Sequence, residues 1–165
     1  MQKSKKNGRA KGARGEREVA GILKTWWGSD FARTPSSGGF KTKRFRDDWN
    51  AEGDVVTPDT TFPFSVEIKH REGWTLDHVL TSPASPIWDW WNQAISQGGD
   101  SKIPLLIFKR NFMPWMFLCK NADIPNVDVG TVISLKDPHG NIISIGLLLS
   151  LVASPKDKWI KNVLE

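Results

Sequence analysis

The stretch at residues 64–69, Phe-Ser-Val-Glu-Ile-Lys, constrains the fold more than any other part of the chain. Apolar and polar side chains alternate strictly along it, and this is the period of a β-strand. One face would carry Phe64, Val66 and Ile68, and the other would carry Ser65, Glu67 and Lys69. The first face suits a core, whereas the second shows a carboxylate beside an ammonium. The alternative is an ordinary solvated strand face with a cross-strand charge pair.

A second acid, Asp54, stands upstream at the start of the short apolar segment 54–57. Residues 58–61, Pro-Asp-Thr-Thr, have the composition of a turn. The two segments are therefore predicted to pair as a hairpin, which would bring Asp54 beside Glu67. Two carboxylates with only Lys69 to neutralise them are suited to a hard cation such as Mg²⁺, which takes oxygen ligands.

Length and cysteine content limit the class of protein. With 165 residues the chain predicts one domain with a single core. Cys119 is the only cysteine, so an intramolecular disulfide and a cysteine-based zinc cluster are excluded, and a free buried thiol in a reducing compartment is expected. The longest apolar run, residues 142–153, is far shorter than the ~20 residues of a membrane span. These features favour a soluble, intracellular protein.

Positive charge is concentrated in two clusters, and the formal net charge is +5. The first cluster precedes Glu16 and consists of Lys3, Lys5, Lys6, Arg9, Lys11 and Arg14. The second lies in the long connection 36–53 and consists of Lys41, Lys43, Arg44 and Arg46. Such clusters attract polyanions, and a loop of this length is often functional. The alternatives are a disordered solubilising tail over residues 1–12 and a disordered insertion in the loop.

Helical and strand periods alternate along the rest of the chain. Residues 13–27 have the period of an amphipathic helix on which Glu16 leans toward the core and Glu18 toward water. For Glu16 the alternative is an acid that complements the helix dipole. Further elements are a short strand at 31–34, a helix at 87–95, strands at 103–109 and 113–120, a hairpin at 129–135 and 141–145, and a helix at 156–164. Most of the nine tryptophans are expected in the core.

Four segments in this order resemble the archaeal and phage-type Holliday junction resolvases of the PD-(D/E)xK, or restriction-endonuclease-like, nuclease superfamily. They are residues 11–18 (Lys-Gly-Ala-Arg-Gly-Glu-Arg-Glu), Arg33 with Ser36 and Gly38, residues 54–56, and residues 66–69. The resemblance implies an α/β fold with a mixed central β-sheet flanked by helices. Residues 1–12 are polar and glycine-containing, so a flexible basic arm is expected there. Residues 13–165 are expected to form one nuclease domain, with a core at about 13–120 and a C-terminal extension at about 121–165.

The resemblance also implies roles for individual side chains. Asp54, Glu67 and the Ile68 carbonyl would hold Mg²⁺, for which Mn²⁺ could substitute. Glu16 would complete the site, and Lys69 would orient the attacking water. The remaining implied residues are a mobile-loop serine, Ser36 or Ser37, and a DNA-binding set of Lys11, Arg14, Arg33, Lys41, Lys43, Arg44 and Arg46. The superfamily's Pro-Asp is replaced here by Gly53-Asp54, and the literal Pro58-Asp59 is interpreted as part of the turn.

The function implied by the resemblance is a metal-dependent endonuclease that resolves four-way DNA junctions by paired symmetric nicks through phosphodiester hydrolysis. Its partners would be branched DNA and a second copy of the chain, with no membrane, in the cytoplasm of a prokaryotic cell or a phage-infected host. Part of the cluster Trp88, Trp90 and Trp91 could form the homodimer interface rather than the core. Two other functions stay open: a nuclease on branched or ordinary duplex DNA, and a DNA-binding protein without catalysis.

Overall fold

The computed structural model describes residues 3–34 and 53–161, with side chains for residues 7–34 and 53–160. Its helices are α1 (Lys3–Trp27), α2 (Leu76–Thr81), α3 (Pro86–Gly98), α4 (Leu148–Val152) and α5 (Lys156–Lys161), with a 3-10 turn at Asn121–Asp123. Its strands are β1 (Ala32–Arg33), β2 (Val55–Val56), β3 (Phe64–His70), β4 (Ile103–Lys109), β5 (Met116–Lys120), β6 (Val132–Lys136) and β7 (Ile142–Leu147).

In the described part of the chain, five strands form a mixed sheet in the order β3-β4-β5-β7-β6. β3 and β4 are parallel, with Glu67 opposite Leu106 and Lys69 opposite Phe108, and the other neighbours are antiparallel. A parallel pair needs a crossover connection, and α2 and α3 supply it. β1 and β2 form a separate two-stranded sheet. The predicted α/β fold with a mixed central sheet flanked by helices is confirmed.

Helices cover both faces of this sheet. Successive side chains of β4 alternate between two apolar clusters, because neighbouring strand residues point to opposite faces. The first cluster includes Leu105 and combines α1 with the C-terminal helices; its members include Val19, Leu23, Val66, Leu148 and Trp159. The second includes Leu106 and is dominated by α3; its members include Ile87, Trp88, Trp91 and Ala94. The core therefore lies in two layers around β3, β4 and β5.

Local sequence explains the limits of the two long helices. The Ser85 hydroxyl accepts a hydrogen bond from the Ile87 amide, and Pro86 occupies the first turn, so α3 has a standard N-cap. α1 ends at Gly28, which has a φ of 74° and whose amide donates to the Lys24 carbonyl at 2.9 Å. A positive φ after the last helical residue favours glycine.

The start of α1 differs from the prediction. The predicted helix begins at residue 13 after a flexible arm, whereas α1 begins at Lys3, so residues 3–12 are helical. Lysine, arginine and alanine are good helix formers, and they dominate this segment. Lys11 Nζ also lies 2.8 Å from Glu72 Oε1, which joins this part of α1 to the loop after β3.

The predicted hairpin of residues 54–57 with residues 64–69 is wrong. β2 pairs antiparallel with β1, placing Val56 opposite Ala32, while Gly53 forms a parallel bridge with Val66. The predicted turn does exist, since the Phe62 amide donates to the Asp59 carbonyl at 3.3 Å. Alternating side chains predict which faces a strand has, but they do not specify its neighbour or its direction.

The C-terminal segment completes the central sheet. The predicted hairpin is confirmed as β6 and β7, closed by a turn in which the Gly140 amide donates to the Asp137 carbonyl at 3.0 Å. β7 also pairs with β5, with Leu118 opposite Ile145. The segment after residue 120 is therefore a structural part of the domain rather than an addition to its core.

Cysteine and tryptophan positions follow the sequence analysis. Cys119 is a buried free thiol, and burial raises its pKa. Of the eight tryptophans that the structure describes, six are buried: Trp27, Trp74, Trp88, Trp91, Trp115 and Trp159. Trp88 and Trp91 belong to the α3 cluster, so these two are core residues and not interface residues. No described helix is both long and apolar enough to cross a membrane.

Replacing Trp159 with alanine is expected to destabilise the fold by about 3–5 kcal/mol, because a fully buried ring would leave a cavity. The ring lies 5.1 Å from that of Phe64, and its Nε1 donates to Ser154 Oγ at 2.8 Å. Urea unfolding measures the loss. Leu149→Ala is the control, since Leu149 is 67% exposed on α4 and should change stability by less than about 0.5 kcal/mol. Equal losses in the two variants would contradict the central role of the C-terminal helices.

Candidate active site

Glu67 is a buried carboxylate on β3. Its side chain is 1% exposed, and neither Oε1 nor Oε2 accepts a hydrogen bond from any residue that the structure describes. Lys69 Nζ lies 2.5 Å from Oε1, but its approach does not have the angle of a hydrogen bond. A buried carboxylate is costly unless its oxygens are satisfied, so the ion pair with Lys69 compensates for the burial only in part. The carboxylate oxygens of Glu67 can therefore still bind a cation.

Asp54 is held against the free edge of β3 by two hydrogen bonds. Its backbone amide donates to the Val66 carbonyl at 2.7 Å, and its Oδ2 accepts from the Ile68 amide at 2.7 Å. Its own carbonyl accepts from the Thr34 amide at 2.8 Å, which connects it to the end of β1. The hairpin prediction was wrong about strand pairing, but Asp54 still reaches the strand that carries Glu67.

Gly53 makes this approach possible. Its φ is 92°, and a Cβ at this position would lie 2.4 Å from the Val66 carbonyl oxygen. No side chain fits there without moving one of the two segments. Glycine in place of the superfamily's proline is therefore explained by the close approach of the backbone to β3.

Burial and neighbouring negative charges raise the pKa of Asp54. Burial, then the charge of Glu67 and later that of Glu16, raise the pKa of Asp54 to about 7, against the Ile68 hydrogen bond and the Lys69 charge, which lower it. The described site thus has an excess of negative charge. A bound divalent cation would favour the ionised form of Asp54, because it would offset this repulsion.

Glu16, the third acid, is carried by α1 and is paired with Arg33 of β1. As predicted, it points inward from α1, with 18% of its side chain exposed, whereas Glu18 is 48% exposed. Its Oε2 accepts from Arg33 Nε, so α1 is tied to β1 by an ion pair. Among the residues that the structure describes, no three His, Cys, Asp or Glu side chains are close enough to hold one metal ion. Glu16 acts on Asp54 through its charge.

The remaining predicted residues are distributed as follows. Lys11 is paired with Glu72, Arg33 is paired with Glu16, and Arg14 is exposed on α1. Ser36, Ser37, Lys41, Lys43, Arg44 and Arg46 lie outside the described residues. Asp59 belongs to the turn, where its Oδ1 accepts from the Thr61 amide at 2.9 Å, as the sequence analysis expected.

The sequence analysis missed a group of cations at the same end of the sheet. Lys109 lies opposite His70 at the ends of β4 and β3, and Arg110 follows it. Lys109 Nζ is 4.8 Å from the centre of the Trp115 ring, and Arg110 lies 5.7 Å from that of Trp74. The adjacent Lys109-Arg110 pair at the end of a predicted strand was the available signal. Together with Lys11 and Arg71 these residues form a basic surface at the end of the sheet where β3 and β4 finish. Two of its cations also contact acids: Lys11 is paired with Glu72, and Lys109 Nζ lies 3.6 Å from Glu18 Oε2.

The fold and site define a class of protein: an α/β nuclease of the PD-(D/E)xK type, with Asp54 beside a Glu-x-Lys strand. The model of a protein family described as "Phage putative PDDEXK endonuclease" matches residues 7–138. Since this match covers most of the chain, the protein belongs to that family of phage endonucleases.

Two further comparisons found similar proteins. Protein D14 of Escherichia phage T5 is 29% identical over 125 residues, which are 73% of this chain and 74% of that protein. The solved structure of Hjc, a Holliday junction resolvase from the archaeal hyperthermophile Archaeoglobus fulgidus, aligns with 92% of this chain and 99% of its own. The sequence identity in that alignment is 13% and the TM-score is 0.38. Membership of the family rests on the match of the family model.

Gly53→Ala is expected to destabilise the protein by on the order of 3 kcal/mol, because it combines an unfavourable φ with a backbone clash. Gly140→Ala is the matched control, since Gly140 has a φ of 86° but open space around it. It should cost only about 1 kcal/mol. Denaturant unfolding of both variants separates the two effects, and equal losses would show that the contact with Val66 is not tight.

Asp54→Asn is expected to change the pH dependence of stability. The folded protein keeps a proton on Asp54 up to about pH 7, whereas the unfolded chain releases it near the ordinary aspartate pKa of 3.8. This contribution to the free energy of unfolding is present at low pH and is lost as the pH rises through 7. In EDTA, the stability of the variant relative to wild type should therefore improve by on the order of 2 kcal/mol between pH 5 and pH 8.

Asp59→Asn is the control for this measurement. Burial raises the pKa of Asp59, but the hydrogen bonds from Thr61 outweigh it, and the net pKa is lowered. Asp59 is thus ionised in both the folded and the unfolded state above pH 5, and its variant should differ from wild type by a constant amount between pH 5 and pH 8. A constant difference for Asp54→Asn as well would contradict the raised pKa of Asp54.

Proposed function

We propose that the protein is a metal-dependent endonuclease that cuts branched DNA, with the four-way junction as its preferred substrate. The observation that carries the proposal is the Glu67 carboxylate, which is buried, accepts no hydrogen bond and lies next to Lys69 and Asp54. Such a group does little for stability, because its burial is incompletely compensated. Its position is understandable if a ligand completes the site. Membership of an endonuclease family supports hydrolysis of DNA.

The described side chains fit a hard divalent cation. Asp54 and Glu67 would hold Mg²⁺ or Mn²⁺ through carboxylate oxygens, and the resemblance adds the Ile68 carbonyl. Two carboxylates are enough, since Mg²⁺ commonly keeps several waters and uses substrate phosphate oxygens as further ligands. When bound, the cation would stabilise the negative charge that develops on the phosphate during hydrolysis. Glu16 would contribute charge without direct contact.

Lys69 is the residue best placed to act on the water. Its ammonium is 18% exposed and lies beside Glu67 at the accessible end of β3. There it can orient a water molecule whose oxygen bonds to phosphorus while the bond from phosphorus to the 3′ oxygen breaks. The attacking water releases a proton to solvent, and the leaving 3′ oxygen takes one up from solvent. No covalent bond to the protein is needed.

The preference for a four-way junction rests on the order and spacing of the four motif segments, together with the basic surface. Lys11, Arg71, Lys109 and Arg110 would hold phosphates near Lys69 by electrostatic attraction. Paired symmetric nicks require two active sites related by two-fold symmetry, so the active species would be a homodimer. We infer that it acts in the cytoplasm of a phage-infected host, in keeping with the phage family.

Cleavage of ordinary duplex DNA is the second candidate, because the family description specifies an endonuclease and no DNA structure. A role in binding without catalysis is disfavoured on electrostatic grounds. Glu16, Asp54 and Glu67 would repel a phosphate unless a cation were present, so a protein that only binds DNA gains nothing from them.

The test incubates a four-way junction, a splayed duplex and a linear duplex with the protein in Mg²⁺, in Mn²⁺ and in EDTA. Paired symmetric nicks in the junction are expected with either cation and not in EDTA. Asp54→Asn, Glu67→Gln and Lys69→Ala should each lose at least about 100-fold in single-turnover rate, since each removes a group that acts on the reacting phosphate or water. Junction binding, measured by fluorescence anisotropy in EDTA, should be retained.

Asp59→Asn is the matched control, because it changes the literal Pro-Asp acid five residues from Asp54 and should leave cutting unchanged. Equal cutting of junction and linear duplex would favour the second candidate. Tight binding with no cutting in either metal would refute the enzyme. Mg²⁺ should also raise the Tm of wild type more than that of Glu67→Gln, a readout that does not depend on activity.

A further inference from the structure

The turn between β4 and β5 holds its aromatic residue in an unusual conformation. The Met113 amide donates to the Arg110 carbonyl at 3.2 Å, so Asn111 and Phe112 are the central residues of a β-turn. Phe112 has a φ of 63° and is the only non-glycine residue with positive φ in the described part of the chain. The third position of such a turn favours glycine, and a bulky side chain there is strained.

The fold offers no reason for phenylalanine at this position. The side chain is 105% exposed, so it makes no packing contribution. Its neighbour Asn111 anchors the turn instead: its amide donates to Glu72 Oε1 at 2.9 Å, and its Oδ1 lies 3.1 Å from His70 Nε2. A strained, exposed ring on an anchored turn indicates a function outside the folded chain.

The surroundings of Phe112 indicate what the ring meets. Lys109 and Arg110 precede it, both cations lie over tryptophan rings, and Lys109 Nζ also lies 3.6 Å from Glu18 Oε2. Lys11 is brought to the same surface through its ion pair with Glu72. An apolar ring among fixed cations suits a polyanion that also offers flat apolar faces, and nucleic acid has both properties.

The turn also lies near the candidate active site. Phe108 is opposite Lys69 in the parallel register, at the end of the sheet where β3 and β4 finish. Phe112 follows Phe108 by four residues, a reach of at most about 14 Å. Adjacent strands add about 5 Å, so the Cα atom of Phe112 lies within roughly 20 Å of that of Lys69.

We propose that Phe112 stacks on an unpaired or unstacked base at the branch point of DNA and thereby selects branched substrates. This inference rests on the proposed function and names the feature of the substrate that the protein recognises. In a continuous duplex every base is already stacked on its neighbours, so the ring has no partner. Where a branch interrupts stacking, an inserted aromatic side chain replaces the lost contact. The basic residues would add affinity for any DNA, and Phe112 would add the preference for a branch.

The test compares wild type with Phe112→Gly, Phe112→Leu and Phe112→Trp. Affinities for a four-way junction and a linear duplex are measured in EDTA, with 2-aminopurine at the branch to report stacking. Phe112→Gly and Phe112→Leu should reduce the ratio of junction to duplex affinity by about tenfold and abolish the 2-aminopurine response. Phe112→Trp should retain both. Leu149→Ala, which removes another exposed apolar side chain on α4, should leave both unchanged.

The stability of Phe112→Gly gives an independent readout. Relief of the positive φ should raise Tm by about 2–4 °C while selectivity falls. A fall in Tm would mean that Phe112 serves the fold, and loss of a dimer in sedimentation velocity would mean that it contacts a second copy; either result overturns the inference. If wild type prefers the junction and Phe112→Gly keeps that preference, the inference alone fails. If wild type binds the junction and the linear duplex equally well, the proposed preference for a junction is contradicted, and the inference is overturned with it.

Discussion

The attachment of Asp54 to the edge of β3 is the interaction on which the site depends. Donation from the Asp54 amide to the Val66 carbonyl and from the Ile68 amide to Asp54 Oδ2, both at 2.7 Å, fixes the backbone and the side chain of this acid. The strand that holds Asp54 also carries Glu67, so both carboxylates share one rigid support. Gly53 permits the approach because any Cβ would meet the Val66 carbonyl. The site is thus organised by a strand edge rather than by loops.

The charges around this edge are arranged at a cost to the fold. Glu67 is buried with unsatisfied oxygens, and the pKa of Asp54 is raised to about 7 by burial and by its acidic neighbours. Lys69 offsets part of this negative charge, while Arg33 is engaged by Glu16. A fold selected only for stability would not collect acids in this way. The arrangement is coherent if a cation and a phosphate complete it.

The secondary structure was largely predictable because its signals are local. The helix predicted at 87–95 is found within α3, and the strand predicted at 103–109 is β4. Pairing was harder, since the pattern of residues 54–57 fits any neighbour with the right spacing. β2 joined β1 instead of β3, and β7 joined β5, so that the C-terminal strands became part of the central sheet. These outcomes depend on contacts between residues that are distant in sequence.

The sequence by itself determined the kinds of side chain and the elements that carry them: an inward acid on the first helix, Asp54, and a Glu-x-Lys strand. Tertiary structure alone decided that Glu67 is buried without a hydrogen bond, that Arg33 pairs with Glu16, and that Phe112 stands fully exposed. The physical reason is the range of the forces involved. Periodicity and turn preference act over a few residues, whereas burial, charge interaction and close backbone approach depend on every segment packed nearby.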